Sequence, residues 1–429
     1  MSTVTETTAT EAREPTAAPV ARAHPDVLII GGGGAGLWLL NVLRRRGYSA
    51  RLLEAKELGG AQTLASQGMI HGGIKYALGG RLTAESEAIA RMPERWRHCL
   101  EGGGDIDLSG VHTVASEYHM WATGALGTLG SFFASRALRG RIDKLDSDAY
   151  PSVFRHPKFD GVVYRLDDLV LDVNTLLDAL AAPHRDAIVS GEAVGLSMRG
   201  GEITGVSTRA GERLSAGHYL FAAGSGNALF ADALRAAGHS QSPPTQLRPL
   251  HQVFVRRAGL PRLFAHCLTG LRGAEPRLTI TSHPLEPGQP AGGEVGWYIG
   301  GQLATTGVQR SLADQQAVAR RELSATLPWL DWHDTQIDCL RVDRAEPSQP
   351  FGRKPDEAVT VACANGTLCW PTKLSLLPDL GDQVLNALEP PPQAPHADPG
   401  AAAGEAGTTP AQGAGQVAVP VVGAPPWLR

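Results

Sequence analysis

Cysteine is scarce and unpatterned in this chain of 429 residues: Cys99, Cys267, Cys339, Cys363 and Cys369 stand apart, and no C-x-x-C occurs. The spacing offers neither a zinc ribbon nor an iron–sulfur cluster, and an odd count suits a reducing cytoplasm better than a disulfide framework. Cys363 and Cys369 read as small buried hydrophobes. Positive charge is also short: the net charge is −4 and no long basic block occurs, which excludes nucleic acid as a principal partner. No apolar run is long enough to cross a bilayer. Residues 1–24 lack the apolar stretch of a secretory signal and read as a disordered leader. Residues 389–429, dominated by Pro, Ala and Gly, have too little apolar surface to order themselves and read as a disordered tail. No internal repeat is visible.

What is present starts at Asp26-Val-Leu-Ile-Ile-Gly-Gly-Gly-Gly-Ala-Gly36. An apolar strand runs into Gly31, Gly33 and Gly36 in G-x-G-x-x-G spacing, a helix follows over Leu37 to Arg46, and Arg51-Leu-Leu-Glu54 supplies a second strand ending on an acid. That order is the βαβ fingerprint of a dinucleotide site. Gly31 permits the tight turn, Gly33 lets the backbone approach a pyrophosphate, and Gly36 lets the helix pack on the strand. The helix N-terminus offers N–H groups to phosphate. The Glu54 carboxylate suits a ribose 2′-OH and disfavours a 2′-phosphate, hence NADP. No second G-x-G-x-x-G follows, so the chain has one dinucleotide site. The length suggests two or three domains, with the folded part spanning about 25–388.

Farther on, a glycine-rich loop covers Gly59 to Tyr76, a helix is predicted over 81–101 and a strand over 111–121. A strand and a helix start fall in 161–175, with Asp172 as N-cap. Gly200-Gly201 turns a hairpin within 186–209. His218 to Gly226 is a strand ending in glycines. Strands at 250–257, 277–283 and 295–303 read as a separate sheet. A charged amphipathic helix covers 310–327, a strand 358–363 and a final helix 373–388.

Four segments together resemble FAD-dependent oxidoreductases of the D-amino-acid-oxidase superfamily, most of all FAD-dependent glycerol-3-phosphate dehydrogenases. They are Val27–Gly36 with Leu53-Glu54, Ala65-Ser-Gln-Gly-Met-Ile-His-Gly-Gly-Ile-Lys-Tyr76, Phe221-Ala-Ala-Gly-Ser-Gly226 and Pro371-Thr-Lys-Leu-Ser375. They occur in the family's order and span nearly the whole folded region. The resemblance implies an α/β fold: a Rossmann-like FAD-binding domain with an inserted α+β substrate domain built on a mixed or antiparallel sheet. The expected FAD-binding parts are 25–110, 159–244 and 339–388; the substrate parts are 111–158 and 245–338. The implied FAD contacts are Gly31, Gly33, Gly34, Ala35 and Gly36; Glu54, Ala55 and Lys56; Gly60, Thr63, Ala65, Ser66, Gln67 and Gly68; Val194, through the strand that meets adenine; Ala222, Ala223 and Gly224; and Thr372, Lys373 and Leu374 at the last helix.

A flavin enzyme needs a substrate C–H directed at flavin N5 and a group that takes the O–H or N–H proton. The resemblance places His251, in Arg248-Pro-Leu-His251, at the substrate and makes it the first choice of general base. His71 reads as a flavin-facing contact, a base or a covalent flavin attachment point, or else as a histidine bonded to the loop backbone. Lys75, where those dehydrogenases usually carry Arg, reads either as a point charge for a substrate anion or as a solvated lysine. In Arg341-Val-Asp-Arg344, Arg344 is the candidate that meets the substrate anion or the flavin, against a solvated charge run. Arg248 reads either as a bidentate partner of the same anion or as one side of an interdomain salt bridge. His266, His283 and Tyr298 fall in the expected substrate sheet. The expected reaction takes hydride from a small anionic CH–OH substrate, glycerol 3-phosphate or a 2-hydroxy acid, and passes electrons to a quinone, oxygen or another redox partner. A quinone acceptor would bring the protein to the inner face of a membrane as a peripheral protein. The same fold supports amine or amino-acid oxidation. A flavin-binding partner subunit that docks through its tail is the reading from another class.

Overall fold

The computed structural model describes residues 24–73, 89–123, 142–268, 275–286, 289, 292–349, 355, 357–391 and 419–428. Two sheets organise it. The first has six strands in the order Val359–Cys363, Gly366–Trp370, His218–Phe221, Val27–Ile30, Ala50–Glu54 and Ile188–Ser190. Its interior is parallel, with Val27–Ile30 between His218–Phe221 and Ala50–Glu54; only the edge pair 359–363 and 366–370 is an antiparallel hairpin. Val27, Leu28, Ile29 and Ile30 are all buried, the continuous apolar run that a strand covered on both faces requires.

The first helix, Gly34–Arg45, buries Leu37 to Leu43 against the sheet and against Leu176, Leu177 and Leu180 of the helix Val173–Ala181. It begins three residues before the expected Leu37, so the glycines form its first turn. Asp172 caps the helix Val173–Ala181 by accepting from the Thr175 N–H at 3.0 Å, as the sequence predicts. The hairpin at Gly200-Gly201 forms with Arg199 opposite Glu202, both glycines having positive φ.

The second sheet has eight strands, ordered Gln336–Pro347, Thr245–Arg256, Val295–Gly300, Leu278–Pro284, Ala265–Leu268, Tyr118–Thr123, Gly161–Leu166 and Ile142–Lys144. Its pairings are antiparallel except that of Ala265–Leu268 with Tyr118–Thr123, so it is a mixed sheet. Its two long strands pair along their whole length, from Thr245 opposite Pro347 to Arg256 opposite Gln336. Strands 161–166 and 336–347 therefore lie in this sheet, past the expected boundaries at 159 and 339. The helix Leu312–Thr326 buries Ala319 and Leu323 in the core beneath the sheet.

The expected strand over 111–121 is two short strands, Thr113–Ala115 and Tyr118–Thr123, that enter different sheets. The expected helix over 81–101 is described as Met92–Leu100, and the final helix as Leu377–Ala387. The tail departs from its compositional reading at its end, because Val419–Leu428 docks on the folded body: Leu58 donates to the Val421 carbonyl and accepts from the Gly423 N–H. All five cysteines are free thiols; Cys363 and Cys369 are buried. No helix among the described residues is long and apolar enough to cross a membrane.

Candidate active site

A cavity of about 850 Å³ runs between the two sheets, from the glycine turn to the face of the large sheet. At one end stand Gly31, Gly33, Gly34 and Ala35. Gly31 has φ +109°, and a Cβ there would lie 2.6 Å from the Ala222 carbonyl oxygen, so only glycine brings this turn so close to the next strand. Gly36 does not line the cavity: a Cβ there would stand 1.9 Å from the Gly31 carbonyl oxygen, which makes it the packing glycine of the motif.

The helix N-terminus opens on this space. Its N-cap residue, Gly33, supplies no side-chain cap, and the Gly34 N–H donates to Thr63 Oγ1 at 3.1 Å. An α-helix start without a side-chain cap, bordering a cavity, has the donor set that a phosphate requires. Glu54 lies on the same wall, oriented by the Gly32 N–H at 2.5 Å and the Lys56 N–H at 2.9 Å. Ala55, Lys56, Gly60 and Thr63 line the cavity with it, and Ala222, Ala223 and Gly224 form the opposite wall. At Gly224 a Cβ would meet nothing within 4 Å. The residues present therefore fit a dinucleotide.

Two expected contacts sit elsewhere. Val194 does not line the cavity and is 37% exposed; its neighbour Ala193 lines it instead, because successive side chains of a strand face opposite ways. Gly68 does not line it either. Its φ is +68° and a Cβ there would lie 2.2 Å from the Leu171 carbonyl oxygen, so its work is to let two segments pass closely.

At the other end the loop Ala65-Ser66-Gln67 meets the large sheet. The Gln67 side-chain amide donates to the carbonyls of Thr279 (3.0 Å) and Tyr298 (2.9 Å). The Tyr298 hydroxyl lies 3.0 Å from the Ala65 carbonyl and contacts the side-chain oxygen of Gln252. Burial holds the Tyr298 phenol well above its ordinary pKa, so it remains a neutral hydrogen-bonding group. Thr372, Lys373 and Leu374 close this end. Thr372 has φ +59°, a left-handed conformation that costs about 1 kcal/mol for a residue with a Cβ, and its hydroxyl donates to the Glu357 carbonyl at 3.0 Å. A short 3₁₀ turn, Leu374–Leu376, precedes the final helix here.

The proposed catalytic residues divide. His71 lines the cavity, its backbone N–H donating to Ser375 Oγ at 3.1 Å. Arg344 lines it from the strand 336–347. His251 does not line it: it is 2% exposed, its Nδ1 meets the Gly307 carbonyl at 3.0 Å, and it sits mid-strand instead of at the strand start. Strand alternation turns Leu250 and Gln252 to the cavity and His251 away. Lys75 lies outside the described residues. Arg248 is held by Glu346 at 2.9 Å, and Arg341 donates to the carbonyls of Val308 (2.6 Å) and Arg310 (2.7 Å).

His266 lines the cavity, with Nδ1 3.0 Å from Thr279 Oγ1 and its ring 4.7 Å from that of Tyr118. His283 does not line it. Gln252 and Asp168 are among the cavity residues that the sequence alone did not single out. Gln252 was the neighbour of the chosen histidine, with only period-2 alternation to reveal it. Asp168, 3% exposed, accepts from the Gly72 N–H at 2.9 Å and so anchors the loop that carries His71.

The family described as "DAO: FAD dependent oxidoreductase" matches residues 26–364. The chain is 45% identical over 366 residues to the probable FAD-dependent oxidoreductase PA4991 of Pseudomonas aeruginosa, covering 85% of this chain and 90% of that protein. The crystal structure of PA4991 superposes with a TM-score of 0.74, covering 95% of this chain and 99% of that one, at 36% identity over this longer match. More distant folds include glycine oxidase from Geobacillus kaustophilus, with TM-score 0.60, 16% identity and 86% and 96% of the two chains covered. L-α-glycerophosphate oxidase from Mycoplasma pneumoniae, with FAD bound, gives TM-score 0.61 and 14% identity, covering 85% and 94%.

Proposed function

The chain belongs to the DAO family of FAD-dependent oxidoreductases, and from that premise we propose that it oxidises a small CH–OH substrate bearing one anionic group, such as glycerol 3-phosphate or a 2-hydroxy acid. The observation that carries the reading is the position of Arg344. Arg344, on the strand Gln336–Pro347, stands in the cavity wall, whereas Arg248 and Arg341 do not line the cavity. A guanidinium there favours one carboxylate or phosphate group. Leu250, Val342 and Leu268 line the same cavity and restrict the remainder of the substrate to a small, partly apolar body.

FAD supplies the hydride acceptor when bound. On this reading Gly31, Gly33 and the helix start hold its pyrophosphate, Glu54 its ribose, and Ala65 to Gln67 with Thr372 to Leu374 its ring end. His71 and His266 are the groups placed to accept a proton, and Gln252 orients the substrate. The electron acceptor on this reading would be a quinone, oxygen or a redox protein, with the protein in the cytoplasm or peripheral at the inner face of a membrane.

The test is anaerobic spectroscopy of the holoprotein with glycerol 3-phosphate, 2-hydroxy acids, and secondary amines or amino acids added in turn. Loss of the oxidised-flavin band with a hydroxy substrate supports the reading. Bleaching by amines or amino acids alone moves the same cavity to CH–NH oxidation; a glycine oxidase is among the similar folds. A flavin that no candidate bleaches would favour a partner-dependent subunit.

A further inference from the structure

The end of the chain touches both sheets' domains. The Leu58 N–H donates to the Val421 carbonyl at 2.8 Å and the Gly423 N–H returns to the Leu58 carbonyl at 3.1 Å, a one-residue parallel bridge. Asn174 Nδ2 donates to the Gly423 carbonyl at 2.8 Å, and Val422 packs on the core beneath the first helix. The chain then turns through Pro426–Leu428 and delivers Trp427 to the large sheet. The indole lies 4.5 Å from the His283 ring and 4.9 Å from Tyr298, and it stacks on Phe254 at 5.6 Å with the planes 8° apart. Phe254 and Tyr298 are paired across their strands. Gly296 leaves them room, since a Cβ there would stand 2.3 Å from the Phe254 ring.

We propose that Val419–Leu428 is a strap acting in cis, which holds the dinucleotide-binding body against the large sheet, and that Trp427 is a positioning residue for the cavity wall. Two chains of contact lead inward from the indole. Tyr298 reaches the Ala65 carbonyl and Gln252. His283 Nε2 meets Thr281 Oγ1 at 2.8 Å, and Thr281 Oγ1 accepts from Gln67 Nε2 at 3.3 Å. Ala65, Gln67 and Gln252 all line the cavity. The strap thus braces from behind a set of hydrogen bonds that joins the flavin-side loop to the sheet. Burial also keeps His283 neutral, its pKa pushed down to about 3, so the box under Trp427 is apolar. So short a segment makes few contacts, but a tethered segment faces its site at an effective concentration of roughly millimolar, which lets a weak contact persist.

The experiment starts from the full-length holoprotein with a protease site placed between residues 392 and 418, and does not depend on the substrate. Before cutting, its FAD affinity and visible flavin circular dichroism should match wild type. After cutting and gel filtration the released fragment should leave; the Kd for FAD should rise about ten-fold, within the usual range for linked sites, and the flavin dichroism should change. A synthetic peptide spanning 419–429 should restore both, its W427F version should restore them largely, and its W427A version should not. A fragment-free protein with unchanged Kd and dichroism overturns the proposal, as does failure of the wild-type peptide to restore them. If the cut fragment stays bound, docking is supported, and Trp427→Ala in the uncut chain decides: an unchanged Kd and dichroism there refute the positioning role.

Discussion

Two substitutions in the glycine turn separate building the fold from holding the cofactor. At Gly36→Ala the new Cβ would stand 1.9 Å from the Gly31 carbonyl oxygen, whereas real Cβ contacts essentially never fall below 3.0 Å. The helix must withdraw from the strand by about 1 Å, and nothing soft yields, because the partner is backbone. Overpacking of this kind costs ~1–3 kcal/mol, and a backbone clash belongs at the upper end. At Gly33→Ala the Cβ meets only Thr63 Oγ1 at 3.1 Å, and φ −77°, ψ −177° is open to any residue. The fold should tolerate the methyl; the pyrophosphate approach should not. Losing a phosphate's contact with a helix start is worth about 1–2 kcal/mol, which raises the Kd for FAD roughly 5- to 30-fold. The assay is thermal melting of flavin-stripped protein together with fluorescence titration of FAD. Gly36→Ala should lower the Tm of the stripped protein by several degrees, whereas Gly33→Ala should leave it unchanged and weaken FAD alone. If Gly33→Ala binds FAD as tightly as wild type, the pyrophosphate does not lie at this turn. If stripped Gly36→Ala melts like wild type, the steric reading of the helix–strand contact fails.

Three further outcomes are expected. Arg344→Met should raise KM for an anionic substrate about 10- to 100-fold, the worth of a charge-assisted hydrogen-bonded pair, and leave a neutral analogue unaffected; equal losses for both would remove Arg344 from anion recognition. His251→Ala should keep the flavin reduction rate within about two-fold while costing ~1–3 kcal/mol of stability by stranding the Gly307 carbonyl, and a hundred-fold loss of rate would restore it as the base. Burial pushes the His218 pKa down to about 4 and the His283 pKa to about 3. Both are neutral in the fold but bind protons in the unfolded chain below about pH 6.5, so stability should be full above that pH and fall steadily as pH drops from 6.5 towards 4. Urea midpoints measured from pH 8 to 4 check the sign: His218→Gln should flatten the slope, and a midpoint that rises on acidification would contradict it.

What the sequence made legible was local. The turn at Gly31 to Gly36, the acid at Glu54, the cap at Asp172 and the hairpin at Gly200-Gly201 each follow from a few adjacent residues and their φ/ψ needs. The choice between His251 and Gln252 does not. Alternation sorts 250, 252 and 254 from 251, 253 and 255, but which set faces the cavity depends on the Gly307 carbonyl and the Gln315 side chain, which sit far along the chain and engage the ring and the carbonyl of His251. The same holds for Arg248, whose partner Glu346 lies on the paired strand and is 4% exposed, so the charge that composition offers to a substrate is already spent inside the sheet. The tail is the clearest instance. Averaged over Pro, Ala and Gly it lacks the apolar content to order itself, and that statement concerns the segment alone. Val422 and Trp427 find their apolar surface on the core beneath the first helix and on Phe254, Tyr298 and His283, so the ordering is a property of two distant surfaces that only the folded chain brings within reach. Composition reads what a segment can bury in itself; a strap is the case in which it buries itself in something else.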